Sequence, residues 1–556
     1  MINNNKLLVM PLGGLEQIGA NCTLIGYKDS WIMIDLGISF CNKLGVEIIT
    51  PDTSFPINLK NRLKGIFVTH AHEDHIGAIH YFWSRLKCPV YLTEFSREVL
   101  KQKLKTKKLT YSNNRIVSLS TKQPVTVDKF TIEFISLSHS ILGACGLYIK
   151  TQGGNIFHTG DWKIDDTPLI GDKVDQERLQ QIGKEGVDCL LCDSTNVLVK
   201  DNIGSENDVK NTLDNLISKY KDKRITITCF ASNVARIDSI FELAKKHNRK
   251  VLVIGKSILN MLNAVSETSY LSKQLKSNIA SVINDEQASS MPPEKVLMIC
   301  TGSQGENKSA LFKLAKGENR VIKLNKDDVV LFSSKVIPGN ELCIRGIQNL
   351  LAQKEVELVT SETESYIHVS GHPDKKALKK MYEWLNPKSL VPLHGDPVML
   401  HAHQKYAEEC GIKNTIVIVS GDLISIDAET GQLKKVQHNN VIYNAVDGRY
   451  IVPINHICLR ERFTLSENGC VNVNFAINKK TNKLINDSLN INSHGIYITK
   501  KCLESIKNGI LNAIQGLLIK FKDDNKIKEE CRKEIARIMM QYCEKRPIVD
   551  VNFYKF

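Results

Sequence analysis

The densest group of chemically useful side chains is the segment His70–His75, which reads HAHEDH. It follows an apolar run, GIFVT, that predicts a strand, and it precedes a predicted helix. Four nitrogen or carboxylate ligands within six residues can converge on metal, because a loop frees them from the alternation of a strand. Neutral histidine is the commonest zinc ligand, and an interleaved carboxylate lets one segment serve two ions. The segment alone leaves open a histidine-rich surface turn without metal.

Three further polar residues stand at the carboxyl ends of apolar runs. His139 follows FTIEFISLS, Asp161 follows NIFHTG, and His394 follows SLVPL. Ligand sites collect at this edge of a sheet. A single histidine at such a position is usually an ordinary surface residue, but three such positions together with the HAHEDH segment predict a metal centre.

Composition limits the class of protein. The chain has 556 residues, 42% of them hydrophobic, and a net charge of +14. These values are typical of a globular protein of two to four domains and exclude the disordered, collagenous and coiled-coil classes. We find no apolar run of the roughly 18 residues that would span a bilayer, so we expect a soluble, intracellular protein without a membrane partner. The positive charge favours an anionic partner without establishing nucleic-acid binding.

Cysteine usage agrees with an intracellular protein. The 15 cysteines are scattered singly, and we expect them to be reduced. Cys189 and Cys192 form the one C-x-x-C pair, within the apolar run VDCLLCDS. Residues three apart in a strand point to opposite faces, so we do not expect this pair to bind zinc.

The order of predicted elements indicates several domains. Short strands separated by glycine turns extend from residue 6 to about 200, and βα alternation from about 204 to 362 predicts a parallel sheet. A further αβα stretch ends near 425. After a polar connector, residues 457–556 form a small α+β module with two amphipathic helices.

The metal-ligand pattern resembles that of the metallo-β-lactamase superfamily, which has HxHxDH followed by His, Asp and His on an αββα sandwich that holds two zinc ions. The resemblance implies one zinc ion bound by His70, His72 and His139 and a second bound by Asp74, His75 and His394, with Asp161 bridging them. His158 has no ligand role in that pattern, and we expect it to be structural.

The long interval between Asp161 and His394 contains the βα region and resembles the β-CASP insertion of nucleic-acid-cleaving members. The three β-CASP motifs would be Asp193 in CDSTN, His372 in HVSGHPD and His394 in LHGDP. Within this branch the chain is most similar to the ribonuclease J family. The matching stretches run from PLGGLEQIG at the N-terminus to KRPIV at the C-terminus.

This resemblance implies an α/β architecture with defined domain boundaries. We expect the αββα sandwich at 1–205 and 363–426, the inserted β-CASP parallel-sheet domain at 206–362, a linker at 427–456 and a small C-terminal α+β domain at 457–556.

The implied activity is that of a zinc-dependent ribonuclease with two zinc ions per chain. It would combine 5′-to-3′ exonuclease and endonuclease activity, by hydroxide attack on the scissile phosphodiester, in RNA decay and in rRNA and mRNA maturation. The resemblance further implies homodimers or homotetramers, a cytoplasmic location and protein partners in RNA decay.

The resemblance also assigns roles to individual residues. Asp193 and Asp74 join His372 in the catalytic group: Asp193 would orient a metal-ligating histidine, and His372 would assist the leaving 3′-oxygen or only fix its loop. The RNA backbone and a preferred 5′-monophosphate would be held by Ser232, Asn233, Val234, His368, Val369, Ser370, Gly371 and His372. Ser232 is also a candidate helix N-cap.

Three departures from the family pattern change the expectations. The segment after His139 reads SILGA where the family usually has SIPEA. Ala235 replaces a histidine of many members, which removes one phosphate contact, and Pro453 replaces a calcium-binding Asp, so we do not expect calcium.

Two alternative functions are a DNA-processing β-CASP nuclease and a catalytically silent RNA-binding subunit. The complete ligand set argues against the silent subunit.

Overall fold

The structure is a computed structural model that describes residues 6–41, 45–121, 123–199 and 204–556. The chain divides into two compact units, Met1–Ser39 with Thr50–Val441 and Phe40–Ile49 with Ile442–Phe556. The predicted first segment, 1–205, includes a few residues that lie outside the described ranges.

The first part of the chain consists mainly of strands. In chain order the elements are β1 (Leu7–Gly13), β2 (Cys22–Tyr27), β3 (Ser30–Ile34), β4 (Ser39–Phe40), β5 (Ile48–Thr50), α1 (Ser54–Leu59), β6 (Leu63–Phe67), α2 (Glu73–Ile76), α3 (Ile79–Phe82), β7 (Val90–Leu92), α4 (Glu94–Thr106), β8 (Ile116–Ser118), β9 (Val125–Val127), β10 (Phe130–Ser136), β11 (Cys145–Thr151), β12 (Gly154–His158), α5 (Gln176–Glu185) and β13 (Cys189–Asp193).

The middle of the chain alternates between helices and strands. It contains α6 (Glu206–Lys219), β14 (Arg224–Thr228), α7 (Val234–Lys246), β15 (Lys250–Ile254), α8 (Lys256–Ser266), α9 (Lys273–Ala280), α10 (Asp285–Ser290), β16 (Val296–Cys300), α11 (Ala310–Lys316), β17 (Asp328–Phe332), α12 (Glu341–Ala352) and β18 (Glu357–Val359). It is followed by α13 (Lys375–Leu385), β19 (Ser389–Leu393), α14 (Pro397–Glu409), β20 (Asn414–Thr415), β21 (Asp422–Ile426) and β22 (Leu433–His438).

The remaining elements belong to the second unit. They are β23 (Asn444–Asp447), β24 (Tyr450–Pro453), α15 (Ile457–Asn468), β25 (Cys470–Asn478), β26 (Lys483–Leu484), β27 (Asn490–His494), α16 (Lys500–Lys520), α17 (Asp524–Cys543) and β28 (Ile548–Lys555). Short 3-10 helices lie at Lys60–Arg62, Asn113–Arg115 and Pro293–Lys295.

Two mixed sheets form the sandwich of the first unit. One has the order β22-β21-β1-β2-β3-β6-β7-β8 and the other the order β20-β19-β13-β12-β11-β10-β9. Apolar side chains from both sheets meet in one core, with Val9 and Ile32 from the first and Phe134 and Leu191 from the second. Helices α5, α13 and α14 cover the outer face of the second sheet, so the predicted αββα sandwich is confirmed.

Cys189 and Cys192 lie on β13 and face opposite sides of its sheet. Cys189 packs in the core between the sheets, whereas Cys192 packs under the outer helices. The prediction that they do not point to the same face is confirmed.

The inserted domain contains a five-stranded parallel sheet of order β15-β16-β14-β17-β18. Its central strands are buried on both faces, as in β16 and β17, because helices cover both sides. Helix α6 begins at a capping box in which the Ser205 side chain accepts from Asp208 N and the Asp208 carboxylate accepts from Ser205 N. The loops after β14 and β17 lie at the carboxyl edge of this sheet.

The segment 427–456, expected as a linker, contains three strands. β22 pairs with β21 at the edge of the first sheet, and β23 pairs with β24. The sequence of β22, LKKVQH, is polar because five of its six residues are exposed on an edge strand. An exposed edge strand has no buried face, so its sequence resembles that of a connector.

The second unit contains two small sheets. One has the order β24-β23-β5-β4, and the other is built on β25, which pairs with β26, β27 and β28. Helices α16 and α17 pack on β25 through a stripe of apolar residues that includes Ile510, Ile514 and Ile535. Among the residues that the structure describes, no helix is both long and apolar enough to cross a membrane.

Candidate metal centre and nucleic-acid site

The structure brings the seven predicted metal ligands together. Their side chains follow the carboxyl ends of β6, β10, β12 and β19, which meet at one edge of the sandwich. The ligand atoms fall into two groups, each within 4.8 Å, and Asp161 belongs to both: His70, His72, His139 and Asp161, and Asp74, His75, Asp161 and His394.

Three imidazole nitrogens converge in the first group. His72 Nδ1 lies 3.0 Å from His70 Nε2 and 3.1 Å from His139 Nε2. Asp161 Oδ2 is 3.8 Å from His70 Nε2 and 3.9 Å from His139 Nε2. These side chains come from three different loops, so the sandwich and not local sequence fixes their geometry.

The second group combines two carboxylates and two imidazoles. His75 Nε2 lies 3.2 Å from Asp161 Oδ2 and 3.4 Å from Asp74 Oδ2. His394 Nε2 lies 3.3 Å from Asp74 Oδ2, and its Nδ1 lies 3.1 Å from Asp161 Oδ1. Asp161 therefore contacts both groups, as a bridging carboxylate would.

The outer nitrogen of each deep histidine faces an acceptor. His139 Nδ1 donates to the carbonyl oxygen of Gly371 at 2.6 Å, and His75 Nδ1 lies 2.7 Å from Asp35 Oδ2. His70 Nδ1 lies 3.0 Å from the Thr69 hydroxyl, whose own proton goes to Asp35 Oδ2. We infer that in the neutral form of these three rings the proton is on Nδ1, which leaves a lone pair on the inner Nε2.

Those lone pairs fit a bound cation. His394 Nε2 and Asp161 Oδ1 are buried and make no hydrogen bond of acceptable geometry among the described residues, although Asp74 Oδ2 and His394 Nδ1 lie 3.3 and 3.1 Å from them. Buried polar atoms without partners are rare and costly, and outer hydrogen bonds of this kind typically fix the tautomer of metal-ligating histidines. The donor set of histidine nitrogens and carboxylate oxygens suits zinc.

Burial and neighbouring charges set the pKa values of the cluster. Burial holds the pKa of His70 and His139 well below the usual range, with neighbouring histidines adding to the effect, and lowers that of His72 to about 4. Burial opposes ionisation of Asp161, but His394 and His75 hold its pKa well below the usual range. Burial also opposes protonation of His75 and His394, but Asp161 and neighbouring carboxylates raise the pKa of both well above the usual range, so a cation has to displace a proton from each of these imidazoles.

His372 and Asp193 lie against this centre. His372 Nδ1 is 2.8 Å from Asp193 Oδ2, and Asp193 Oδ1 is 3.6 Å from His394 Nδ1. Burial would lower the pKa of His372, but the Asp193 carboxylate raises it above its usual value. These two residues form a third group with Asp161 and His394 within 4.8 Å, which the sequence did not predict. The closest histidine partner of Asp193 is thus His372.

The two predicted substrate-binding segments contact the metal ligands directly. The Ser232 hydroxyl lies 3.1 Å from His72 Nε2, and Gly371 accepts from His139. A Cβ at Gly371 would lie 2.6 Å from His139 Cε1, so this close approach requires glycine. Ser370 Oγ accepts from Asn196 Nδ2 at 2.7 Å.

The other predicted members of these segments have different surroundings. Asn233 caps helix α7 by accepting from Arg236 N, a role that the sequence analysis had considered for Ser232. Val234 and Val369 are buried in the apolar core of the inserted domain and offer backbone groups alone. His368 Nδ1 faces the Arg236 guanidinium at 3.4 Å.

Sequence reasoning missed several residues that hold the ligands. Asp35 accepts from His75 and Thr69, and Asn21 donates to Asp74 Oδ2 at 3.2 Å. The Thr195 hydroxyl lies 3.1 Å from His394 Nδ1 and donates to Asp193 Oδ1 at 2.7 Å. Asp35 directly follows the strand WIMI, so the rule that identified Asp161 could have found it.

The first two departures from the family pattern line one cavity. It contains about 480 Å³ of space, part of it open to solvent, and borders the metal ligand His139. Leu142 and Gly143 of SILGA form one wall, and Ala235 forms another. His158, expected to be structural, accepts from Gly160 N at 3.0 Å through Nδ1, and burial lowers its pKa to about 4.

Four family models match the chain. They are the beta-lactamase superfamily domain over residues 30–199, the ribonuclease J beta-CASP domain over 222–351, the Zn-dependent metallo-hydrolase RNA specificity domain over 357–418 and the ribonuclease J C-terminal domain over 457–555.

Curated relatives match along nearly the full length. Ribonuclease J of Sinorhizobium meliloti is 33% identical, covering 100% of this chain and 98% of its own. Ribonuclease J of Helicobacter pylori strain B128 is 31% identical, covering 99% and 79%, and ribonuclease J2 of Bacillus subtilis is 28% identical, covering 98% of both chains. These matches and the domain models indicate a metal-dependent nuclease with RNA as its substrate.

A solved structure shares the fold. A protein of unknown function from Enterococcus faecalis superposes with a TM-score of 0.53 at 19% identity, covering 76% of this chain and 100% of its own. At that identity the match shows the fold alone. The full-length similarity and the two ribonuclease J domain models establish that this chain belongs to the ribonuclease J family.

Proposed function

We propose that this chain is a zinc-dependent ribonuclease that degrades RNA from the 5′ end and also cleaves internally. One observation carries the proposal: two histidines whose inner nitrogens converge have their outer nitrogens within hydrogen-bond distance of two segments that can hold a phosphate backbone. Ser232 contacts His72 on one side, and Gly371 contacts His139 on the other. Cleavage and substrate binding would therefore share one rigid frame.

In this proposal two zinc ions bind per chain. The first would be held by His70, His72 and His139 and the second by Asp74, His75 and His394, with Asp161 shared by both sites. Zinc at such a site lowers the pKa of water and offsets charge on a phosphoryl oxygen. Asn21 and Asp35 keep Asp74 and His75 turned toward the site.

The His372–Asp193 pair supplies a proton donor beside the centre. Because His372 Nδ1 is bound to Asp193 Oδ2, its Nε2 is the nitrogen that can serve the leaving 3′-oxygen. The Asp193 carboxylate favours the protonated imidazole. General acid assistance of this kind contributes roughly 10²- to 10⁴-fold to a rate.

The segments Ser232–Val234 and His368–His372 would hold the 5′-terminal nucleotide. Hydroxyl, imidazole and backbone N–H donors suit a monophosphate, whereas a triphosphate adds bulk and charge. We therefore propose a preference for 5′-monophosphorylated RNA. Ala235 offers no donor, so the preference is smaller than in relatives that carry histidine there.

The remaining expectations belong to the same proposal. They are roles in RNA decay and in rRNA and mRNA maturation, a homodimer or homotetramer, further RNA-decay proteins as partners and a cytoplasmic location. The domain boundaries at 205, 362, 426 and 456 remain predictions.

Digestion of one RNA with either a 5′-monophosphate or a 5′-triphosphate tests the 5′-end proposal. The monophosphorylated RNA should be degraded faster and processively at saturating zinc. Ser370→Ala and His368→Ala should narrow that difference and affect internal cleavage less, because the zinc pair serves both modes. The salt concentration is varied to control for nonspecific binding to the RNA backbone. Equal degradation rates for the two 5′ ends at each salt concentration would contradict the proposed monophosphate pocket.

A further inference from the structure

Arg236 is a buried arginine directly behind both substrate segments. Its side chain is 1% exposed, and its guanidinium grips Glu206 with two hydrogen bonds of 2.7 Å, from Nε to Oε2 and from Nη2 to Oε1. Asn233 joins the pair, because its Oδ1 accepts from Arg236 N at 2.9 Å and its Nδ2 donates to Glu206 Oε1 at 3.1 Å. The segment that contains Ser232 is thereby fixed to this ion pair.

The remaining guanidinium nitrogen reaches the second segment. Arg236 Nη1 donates to the Ser333 hydroxyl at 2.8 Å and to the Ser333 carbonyl oxygen at 3.0 Å. The Ser333 hydroxyl donates to the carbonyl oxygen of Ile367 at 2.7 Å, and Nη1 also lies 3.4 Å from His368 Nδ1. One side chain thus joins the loops after β14 and β17 to the start of HVSGH.

These contacts select one tautomer of His368. A guanidinium can only donate, so His368 Nδ1 must accept, and the proton of the neutral ring is on Nε2. Burial and the adjacent Arg236 charge lower the pKa of His368 to about 3, which keeps the ring neutral near pH 7. No residue in the described parts of the chain pairs with this Nε2–H, so it remains available to an anionic oxygen.

The charge of Arg236 is already balanced. Burial opposes ionisation of Glu206, but the Arg236 guanidinium holds its pKa at about 2. A neutralised, buried guanidinium supplies geometry more than attraction to phosphate. Its planar guanidinium donates to Glu206, Ser333 and His368 at the same time, and the single ammonium group of a lysine cannot do this.

We propose that Arg236 is a positioning residue for the 5′ end of RNA: it fixes the distance between the segments Ser232–Val234 and His368–His372 and presents the Nε2–H of His368 to the terminal phosphate. The inference rests on the proposed 5′-end function. Loss of the planar guanidinium should weaken 5′-end recognition and leave the metal centre and internal cleavage intact.

The test replaces Arg236 with Lys, which keeps a positive charge opposite Glu206 and removes the planar guanidinium with its several N–H donors. A matched control is Arg224→Lys, because Arg224 also grips a buried carboxylate with two bonds, 2.6 and 2.9 Å to Asp328, at the opposite edge of the same sheet. Each protein is assayed on 5′-monophosphorylated, 5′-triphosphorylated and circular forms of one RNA, and zinc content and melting temperature are measured.

In Arg236→Lys the preference for the monophosphate should fall roughly 10- to 100-fold, mainly through a higher KM, since small misplacements of binding groups cost this much. Cleavage of circular RNA and zinc content should stay at the level of the unchanged chain, and Arg224→Lys should keep the preference. An unchanged preference in Arg236→Lys, or an equal loss in Arg224→Lys, would overturn the proposal.

A second variant covers the case in which lysine prevents folding. In this variant Arg236 is replaced with Met and Glu206 with Leu. Both charged side chains are thus exchanged for apolar ones of similar volume, a change that often preserves stability. This pair should lose the preference in the same way, and its retention would overturn the proposal. If the unchanged chain itself shows no preference, the 5′-end function fails and this inference fails with it, whereas failure in the variants alone leaves that function standing.

Discussion

Two buried clusters of charged groups lie at the carboxyl ends of strands in this chain, and they are built in opposite ways. In the metal cluster the outer nitrogens of the histidines are bonded to acceptors such as Asp35 and Gly371, and the inner lone pairs face each other. In the cluster around Arg236 every guanidinium nitrogen faces an acceptor within the protein. The first cluster is completed by a cation, and the second is complete without one.

This difference separates the consequences of mutation. Loss of a ligand in the metal cluster removes a bond to the cation, so metal content and turnover should fall together. Loss of a partner in the Arg236 cluster leaves a buried charge unpaired, so stability should fall and metal content should remain.

The largest effect is expected from His75→Ala. It removes a proposed zinc ligand, so metal content should fall, and turnover should fall by more than the roughly 100-fold that loss of an outer hydrogen-bond partner costs. Metal analysis and single-turnover cleavage measure the two quantities. His247→Ala, which removes a partly buried imidazole paired with Asp214, is the control and should change neither. Full zinc loading with full activity in His75→Ala would contradict the ligand assignment.

A smaller effect is expected from Asp35→Asn. The amide keeps the acceptor for Thr69 N but can place a donor opposite His75 Nδ1, which favours the tautomer whose proton points at the metal. Metal affinity should fall roughly 10- to 100-fold. Competition with a chelator measures it. Asp188→Asn is the control, since Asp188 is a buried carboxylate of the same sandwich that accepts from Asn155 N. Equal zinc affinity in the two variants would contradict the proposal that Asp35 fixes the tautomer of His75.

Asp193→Asn should leave metal binding and folding nearly intact while it lowers cleavage by at least about tenfold. The carboxylate that supports protonated His372 is lost, whereas an oxygen remains to accept from Thr195 N. Single-turnover rates as a function of pH measure the change. Turnover equal to that of the unchanged chain would exclude Asp193 from the site.

The smallest effect on turnover is expected from Glu206→Gln, which acts on stability. Burial opposes ionisation of Glu206, but Arg236 holds its pKa at about 2, below the value near 4.3 of an unfolded chain. The stabilisation is therefore present above the unfolded pKa and is lost as pH falls toward 2, an effect of about 3 kcal/mol. The melting temperatures of the unchanged chain and the variant, both free of metal, should converge between pH 5 and pH 2. A difference independent of pH would contradict this ion pair.

Most of the metal site could be predicted because its residues carry a local signal. All seven predicted metal ligands are in HAHEDH or follow an apolar run, and a loop at a strand end is where such ligands meet. Asp35 carries the same signal and was missed because it belongs to no histidine motif. Asn21 and Thr195 carry no signal, since a single amide or hydroxyl acquires its role from distant neighbours.

The fold class was also predictable, and particular elements show where prediction ended. The parallel sheet of the inserted domain follows from apolar strands alternating with helices, because both faces are buried. β22 was expected as part of a linker because five of its six residues are exposed and four of those five are polar. Arg236 was not predicted because the local sequence around an arginine in a helix does not show whether its side chain is buried or exposed to solvent.

Metal-dependent cleavage of RNA is tested by a digest of matched 5′-labelled RNA and DNA strands of one sequence with the untreated protein, with the protein after a chelator has removed its metal, and after zinc is returned. We expect that the RNA is cleaved much faster than the DNA, that chelator stops cleavage and that zinc restores it, since bound zinc would supply the activated water. Cleavage that continues in the metal-free protein, or DNA cleaved as fast as RNA, would contradict this expectation.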